Sequence, residues 1–169
     1  MAESGPAVRI EALGPRACLR LQGWASEEVE RSLTSIASAG VRVLPLAPGD
    51  CLLLSSGHSG LELRQLVASY LPADGHALVD QSNELVAFEV VGVAARELLS
   101  KGCGLDFHPQ SFTPGQSART RLAGIPVVVS CGEDPARFEL MVARSYGQYL
   151  HDWLSDAARE FGSWQVESI

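Results

Sequence analysis

Short runs of alternating apolar and polar residues make up much of the first half of this chain. The segments 7–13 (AVRIEAL) and 17–23 (ACLRLQG) alternate with a period of two, and the Gly-Pro-Arg between them predicts a β-hairpin. Further strands are predicted at 41–46 (VRVLPL) and 50–56 (DCLLLSS), with a Pro-Gly turn between them. The first half is therefore expected to be rich in short strands.

Two segments of the same half have the helical period instead. Ser26 is placed as the N-cap of the first helix and Gly40 as its end. One face of this helix is apolar and carries Val29, Leu33, Ile36 and Ala37. In the second helix, Ser59 and Glu62 have the spacing of a capping box, and Pro72 ends the helix.

The second half repeats this order of elements. Strands are predicted at 76–81 (HALVDQ) and 84–92 (ELVAFEVVG), followed by a short helix over 93–102 (VAARELLSKG). A hairpin over 118–130 (ARTRLAGIPVVVS) is expected to turn at its Ala-Gly pair, and 136–143 (ARFELMVA) is predicted to be a strand.

The clearest helical pattern lies near the C-terminus. Apolar residues recur at helical spacing through 145–162, and Gly162 supplies a C-terminal cap. These residues are Tyr146, Tyr149, Leu150, Trp153, Leu154, Ala157, Ala158 and Phe161. The element order predicts an α+β fold of two related halves, with mainly antiparallel strands and helices packed on one face. We place the halves at 1–75 and 76–169, with the boundary near Pro72–Gly75.

Composition and charge reduce the number of functional classes to which the chain can belong. The net charge of −7 disfavours nucleic-acid binding and docking to anionic membrane, and no segment has the length of a transmembrane span. The four cysteines are scattered without zinc-site or redox spacing, and the start of the chain lacks the apolar run of a signal peptide. A reduced, cytoplasmic protein is expected.

The segment 101–120 (KGCGLDFHPQSFTPGQSART) carries the candidate chemistry. A catalytic Cys103 would need a nearby base, yet it follows a helix C-terminus, where the dipole disfavours a thiolate. Cys103, Asp106 and His108 would still need a fourth ligand to hold zinc. Polar loop residues more often serve turns and caps, so an ordered connecting loop is the favoured interpretation.

Residues 55–62 (SSGHSGLE) lie between a strand and a helix and raise two further alternatives. A helix N-terminus can bind an anion, but the Walker lysine and the dinucleotide glycine spacing are both missing. Ser59 lies in a Gly-His-Ser-Gly sequence whose closing glycine comes one position too early for a nucleophile elbow. A tight strand-to-helix turn explains both glycines.

Three ordered motifs resemble the gamma subunit of heterotetrameric sarcosine oxidase. They are KGCGLDFHP at 101–109, FTPGQSART at 112–120 and RSYGQYLHDWL at 144–154. The resemblance is strong over 80–162. In the first 75 residues it is carried only by the element order, with the Asp80-Gln81-Ser82 turn following them.

The resemblance implies a reduced relative of the folate-binding T-protein of glycine cleavage. It implies no catalytic, cofactor-binding or metal-binding residue in this chain. The assembled enzyme of that family demethylates sarcosine to glycine, passes the one-carbon unit to tetrahydrofolate and makes hydrogen peroxide. FAD, FMN, NAD and zinc are expected in the partner alpha, beta and delta subunits, with alpha as the main contact.

Three alternatives stay open beside this resemblance. They are a gamma-like subunit of a related N-methylglutamate dehydrogenase, a free-standing tetrahydrofolate-binding aminomethyltransferase-like module, and a hydrolase using Cys103. Five residues are candidates for a structural or subunit-interface role: Asp106, Phe107, His108, Arg119 and Arg121. Interfaces favour aromatic residues and Arg over Lys, and Lys101 is the only lysine in this chain. Trp24 and Trp164 are therefore either interface anchors or core residues.

Overall fold

The computed structural model describes residues 7–162 and 164–166, which divide into two compact units. Unit 2 comprises residues 15–84, and unit 1 combines the described parts of 1–14 and 85–169. In chain order the elements are β1 (Val8–Leu13), β2 (Ala17–Gly23), α1 (Glu27–Ser38), β3 (Arg42–Ala47), β4 (Asp50–Ser55), α2 (Gly60–Ala68), β5 (His76–Asp80), β6 (Leu85–Val91), α3 (Ala95–Ser100), β7 (Ser117–Leu122), β8 (Ile125–Cys131), β9 (Arg137–Ala143), α4 (Gly147–Ala158) and β10 (Trp164–Val166).

Unit 2 is a complete βαββαβ motif. Its four-stranded antiparallel sheet has the order β3-β4-β2-β5, which is the ferredoxin-like arrangement. Alternate residues of β2 and β4 pack against apolar residues of α1 and α2, because successive side chains of a strand point to opposite faces. The buried set includes Leu19, Leu21, Ile36, Leu53, Leu63 and Val67.

The helix caps of unit 2 lie where the sequence places them. Ser26 Oγ accepts a hydrogen bond of 3.2 Å from Val29 N at the start of α1. At the start of α2, Ser59 Oγ accepts from Glu62 N at 3.3 Å and Glu62 Oε2 accepts from Ser59 N at 2.7 Å. This is the predicted capping box, so the Ser59 hydroxyl serves as the N-cap of α2.

Unit 1 is a six-stranded sheet of order β10-β1-β6-β9-β8-β7. All its pairs are antiparallel except β1 with β10, and α3 and α4 share one core with the sheet. The predicted turn of the β7–β8 hairpin is confirmed: Ala123 and Gly124 have φ of +53° and +83°, as a two-residue hairpin loop requires. The α+β class, with mainly antiparallel sheets, is confirmed.

The predicted hairpin of 7–13 with 17–23 is wrong. β1 pairs with β6 (Ile10 opposite Val90), whereas β2 pairs with β4 and β5 in the other sheet. Alternation along a strand specifies which face is buried, but it does not specify which strand lies alongside. Strands β1 and β2 are neighbours in sequence but lie in different sheets.

The units also divide elsewhere than at the expected boundary near residues 72–75. Their limits fall after residues 14 and 84, so β5 completes unit 2 and β1 joins unit 1. Residues 72–75 lie in the segment that links α2 to β5 within unit 2. Within the described ranges, every helix is too short or too polar to traverse a lipid bilayer.

Truncating Ile10 tests the placement of β1. Ile10 is fully buried in the core of unit 1, so Ile10→Ala should destabilise that unit by about 3 kcal/mol. Hydrogen exchange of the β6 amides, which pair with β1, should accelerate accordingly. Val93→Ala, at a side chain that is 90% exposed, is the control. Unchanged β6 protection in the Ile10 variant would contradict the pairing.

Candidate functional site

The candidate chemistry lies in residues 101–116, here called the connector, which joins α3 to β7. Asp106 Oδ1 accepts from His108 N at 2.9 Å, and Asp106 is also hydrogen-bonded to the Ser111 side chain. These bonds hold the pKa of Asp106 below its ordinary value, and the bond with the Ser111 side chain has the largest effect. His108 Nδ1 accepts from Gln110 N at 3.2 Å. The exposed polar groups therefore order the turn that contains them.

Phe107 anchors this turn in the core of unit 1. It is 3% exposed and packs against Phe112 and Phe138, with ring centroids 5.8 Å away in both cases and edge-to-face geometry. Such aromatic pairs contribute about 1 kcal/mol beyond the area they bury. Of the five candidate residues, Phe107 is thus the buried one.

Arg96, a residue that the sequence did not single out, holds the connector to the core. Its Nη1 donates to Phe107 O at 2.6 Å and to Phe112 O at 3.0 Å, and its Nε donates to Pro135 O at 3.1 Å. The guanidinium also lies 5.0 Å from the ring centroid of Phe138. Arg96 therefore serves three backbone carbonyls that have no partner in regular secondary structure.

The same guanidinium acts on a neighbouring thiol. Arg96 Nη2 donates to Cys131 Sγ at 3.8 Å. Burial raises the pKa of the Cys131 thiol, and the nearby positive charge opposes that rise. Cys131 consequently remains a neutral thiol at the end of β8.

The first residue of the connector caps the last helix. Lys101 Nζ donates to Ala157 O at 3.0 Å and pairs with Glu160 at 2.7 Å. It also lies 4.3 Å from the ring centroid of Phe161. A cation at this end of α4 satisfies an open carbonyl and faces the negative end of the helix dipole.

Two sequence motifs meet at Gly102. Ala123 N donates to Gly102 O at 2.9 Å, and Tyr149 OH donates to Ala123 O at 2.9 Å. A Cβ at Gly102 would lie 2.5 Å from Trp153 Cζ2, so only glycine fits beneath that indole. Tyr149 and Trp153 lie one turn apart on α4. Trp153 packs against the start of the connector, and Tyr149 is hydrogen-bonded to the β7–β8 turn.

Cys103 has structural partners. Its Sγ lies 3.5 Å from Thr120 Oγ1 and accepts from Leu105 N at 3.4 Å, and its backbone forms an isolated bridge with Leu122. Over 7–162 and 164–166, no three His, Cys, Asp or Glu residues are grouped as metal ligands.

Arg119 and Arg121 lie on β7, an edge strand of the six-stranded sheet. Both are exposed, and since they are two positions apart they lie on the same face of the strand. Arg121 also donates to Gly124 O in the hairpin turn. Tyr146 and Tyr149 are likewise 41% and 50% exposed. β7 thus leaves cationic groups, and the start of α4 aromatic groups, facing outward in unit 1.

Unit 2 contains a second group of polar loop residues. Ser55 Oγ lies 2.8 Å from His58 Nδ1 and also accepts from Gly57 N at 3.2 Å. In the Asp80–Ser82 turn, Asp80 Oδ1 accepts from both the amide (2.9 Å) and the hydroxyl (2.6 Å) of Ser82, which lowers the Asp80 pKa. These contacts close the β4–α2 and β5–β6 connections.

The sequence of this chain is similar to one family of subunits. The profile of the sarcosine oxidase, gamma subunit family matches residues 15–160. Sarcosine oxidase subunit gamma from an Arthrobacter species is 33% identical over 128 residues, covering 75% of this chain and 61% of that protein. The subunit from Corynebacterium sp. strain U-96 is 32% identical over 129 residues, with 76% and 61% coverage. The matched region therefore spans about three fifths of these relatives.

Among the solved structures that share its fold are an oxidase and a transferase. The heterotetrameric sarcosine oxidase from Corynebacterium sp. U-96 matches 98% of this chain and 90% of one of its chains, with a TM-score of 0.82 and 22% identity. The glycine cleavage system aminomethyltransferase T from Bartonella henselae matches 96% of this chain but 48% of its own, with a TM-score of 0.64 and 10% identity.

Removing the Arg96 guanidinium should loosen the connector. Arg96→Met leaves two buried carbonyls without donors, so we expect a loss of about 3 kcal/mol of local stability. The amides of Ser111 and Phe112, both bonded to His108 O, should exchange faster. Arg159→Met, which breaks only an exposed ion pair with Asp156, should cost less than about 1 kcal/mol. Equal protection of the connector in both variants would refute the assigned role.

The Asp106 turn should respond to pH through its carboxylate. Because the Asp106 pKa is lowered on folding, its contribution is present above the pKa of the unfolded chain and is lost as pH falls through the folded value. A carboxyl carbon-13 titration of Ser111→Ala should give a higher Asp106 pKa than the wild type. Ser69→Ala, in unit 2, is the control. If Asp106 titrates in Ser111→Ala as it does in the wild type, the Ser111 hydroxyl is not the main cause of the lowered Asp106 pKa.

Proposed function

Because the chain belongs to the sarcosine oxidase gamma-subunit family, we propose that it is the non-catalytic gamma subunit of a heterotetrameric sarcosine oxidase. The family match over residues 15–160 carries this proposal. In support of a structural role, the motif residues Lys101, Gly102, Tyr149 and Trp153 are used to fasten the connector to α4.

The reaction belongs to the assembled enzyme. The complex oxidatively demethylates sarcosine to glycine, transfers the one-carbon unit to tetrahydrofolate and releases hydrogen peroxide in the cytoplasm. The alpha, beta and delta subunits hold FAD, FMN, NAD and zinc, and alpha is the main contact of this chain. The chain contributes a folded surface to that assembly.

The outward face of β7 in unit 1 is our proposed contact with the alpha subunit. Arg119 and Arg121 present two guanidinium groups on an edge strand, and the exposed Tyr149 of α4 reaches the turn that follows this strand. Arginine and tyrosine are enriched at interfaces because they combine large contact area with polar groups. Asp106 and His108 keep the adjoining connector rigid. A partner with acidic groups opposite β7 would complement this charge.

One further candidate is supported by the fold. Aminomethyltransferase T shares it over 96% of this chain, which is the basis for considering a free-standing tetrahydrofolate-binding module. This chain corresponds to 48% of that protein, so the module would be built from about half of the larger fold. We rank it below the subunit role for that reason.

Charge reversal on β7 tests the subunit role. When the chain is co-expressed with the other three subunits, wild type should co-purify in a complex that produces hydrogen peroxide from sarcosine. The double variant Arg119→Glu/Arg121→Glu should bind its partners about tenfold or more weakly, because like charges then face each other. Size-exclusion chromatography at decreasing concentration measures the loss.

Matched controls separate docking from folding. Arg159→Glu changes an exposed arginine elsewhere in unit 1 and should assemble as wild type does. Circular dichroism should show both proteins folded. Failure of the wild type to co-purify, or micromolar binding of tetrahydrofolate by the isolated chain, would contradict the proposal. An assembled complex that oxidises N-methylglutamate in place of sarcosine would assign it to the related dehydrogenase.

A further inference from the structure

A cavity of about 130 Å3 lies at one end of the sheet of unit 2, next to the start of α1. Its walls are mostly apolar and include Leu21, Val29, Leu33, Pro45 and Cys51, with Asp50 and His76 among the polar residues of the lining. Burial raises the pKa of the Cys51 thiol to about 12, so this side chain is uncharged at neutral pH. The interior of the cavity is therefore suited to an apolar group.

Three close backbone contacts build the rim of the cavity. Gly23 N donates to Gly49 O at 2.8 Å, and Trp24 N donates to Gly75 O at 3.1 Å. A Cβ at Gly23 would lie 2.5 Å from Gly75 O, so these loops pack backbone against backbone. Gly49 and Gly75 have φ of +73° and +90°, which L side chains rarely adopt. The opening is thus held by backbone geometry.

Trp24 stands beside this opening and is 80% exposed. The sequence predicts either a core residue or an interface anchor at Trp24, and the structure places Trp24 outside the hydrophobic cores of both units. An exposed tryptophan beside a preformed apolar cavity is typical of a binding hot spot, where a few large side chains carry most of the affinity. His76 Nδ1 is a buried atom of the same lining with no hydrogen-bond partner among residues 7–162 and 164–166.

An acidic groove continues from the cavity along the first turn of α1. It shares Ala25, Ser26 and Glu30 with the cavity and adds Glu27 and Arg31. Arg31 Nε is turned back onto Glu27 O. Glu27 and Glu30 are both exposed, so the groove carries two carboxylates and one guanidinium and presents a net negative charge to whatever approaches the cavity.

The volume of the cavity limits the size of the group that it can hold. Ligand pockets for small molecules and cofactors are about 300–1,000 Å3, more than twice this volume. A single apolar side chain fits the space, and the acidic groove favours lysine or arginine beside it. We infer that the cavity beneath Trp24 is a second docking site, which takes one apolar side chain of a partner segment whose flanking basic residues face Glu27 and Glu30.

This inference rests on the proposed subunit role, since the partner segment belongs to another subunit of the oxidase. It adds a site in unit 2 that β7 of unit 1 does not supply. Its chemistry also differs from that of β7, because here the partner contributes the positive charge.

Two variants of the co-expressed complex test the site from different sides. Ala25→Leu places an apolar side chain at the boundary of cavity and groove, and Glu30→Lys inverts the charge of the groove. Each should weaken binding of this chain in the complex by about tenfold or more. Glu28→Lys is the matched control, because Glu28 lies in the same helical turn but in neither lining, and it should assemble as wild type does.

Hydroxyl-radical footprinting gives an independent readout. The rate of Trp24 oxidation, measured by mass spectrometry, should fall about fivefold or more between the free chain and the complex, because an occupied docking site covers the indole. Assembly of Ala25→Leu and Glu30→Lys at wild-type affinity, with Trp24 still oxidised at the free rate, would overturn the inference. The subunit role would survive that result, whereas it fails if wild type does not assemble.

A third outcome identifies a different occupant. If the isolated chain forms dimers that Ala25→Leu abolishes and Glu30→Lys strengthens or leaves unchanged, a second copy of the chain fills the cavity, and the inferred basic partner is wrong.

Discussion

The connector depends on one guanidinium. Residues 101–116 cross from α3 to β7 without regular secondary structure, so their buried carbonyls need donors from elsewhere. Arg96 supplies them from a short helix, at Phe107 and Phe112, while its charged plane faces Phe138. An arginine suits this position because its several donors have fixed directions, whereas a lysine would offer a single point of charge. The aromatic cluster and the Asp106 turn are both built around that fork.

The family motifs acquire physical meaning from this arrangement. The Lys101 side chain caps the C-terminal end of α4, and Gly102 lies beneath Trp153. Tyr149 reaches the turn of the β7–β8 hairpin. A thiol, a carboxylate and an imidazole occur close together in the sequence, yet each forms its hydrogen bonds with its own neighbouring turn or strand. The residues that resemble an active site therefore fasten loops and helix ends.

Local features of the fold could be predicted from the sequence, and long-range ones could not. The caps at Ser26 and Ser59 and the turn at Ala123 were predictable because their causes lie within four residues. The partner of β1 was not, since alternation carries no information about which strand lies alongside. Arg96 was missed for a similar reason: its acceptors are 11 and 16 positions away. Trp24 could not be assigned to the core or the surface from composition alone.

The position of β1 has a consequence for how the chain is made. Its partner in the sheet, β6, leaves the ribosome only after the whole of unit 2 has been synthesised. Unit 2 is contiguous and can fold while translation continues, whereas β1 must wait for a distant pairing that is entropically costly and slow. Strand β1 is therefore synthesised before unit 2 but can pair in its sheet only after unit 2 is complete, and until then its apolar face lacks the partner that covers it.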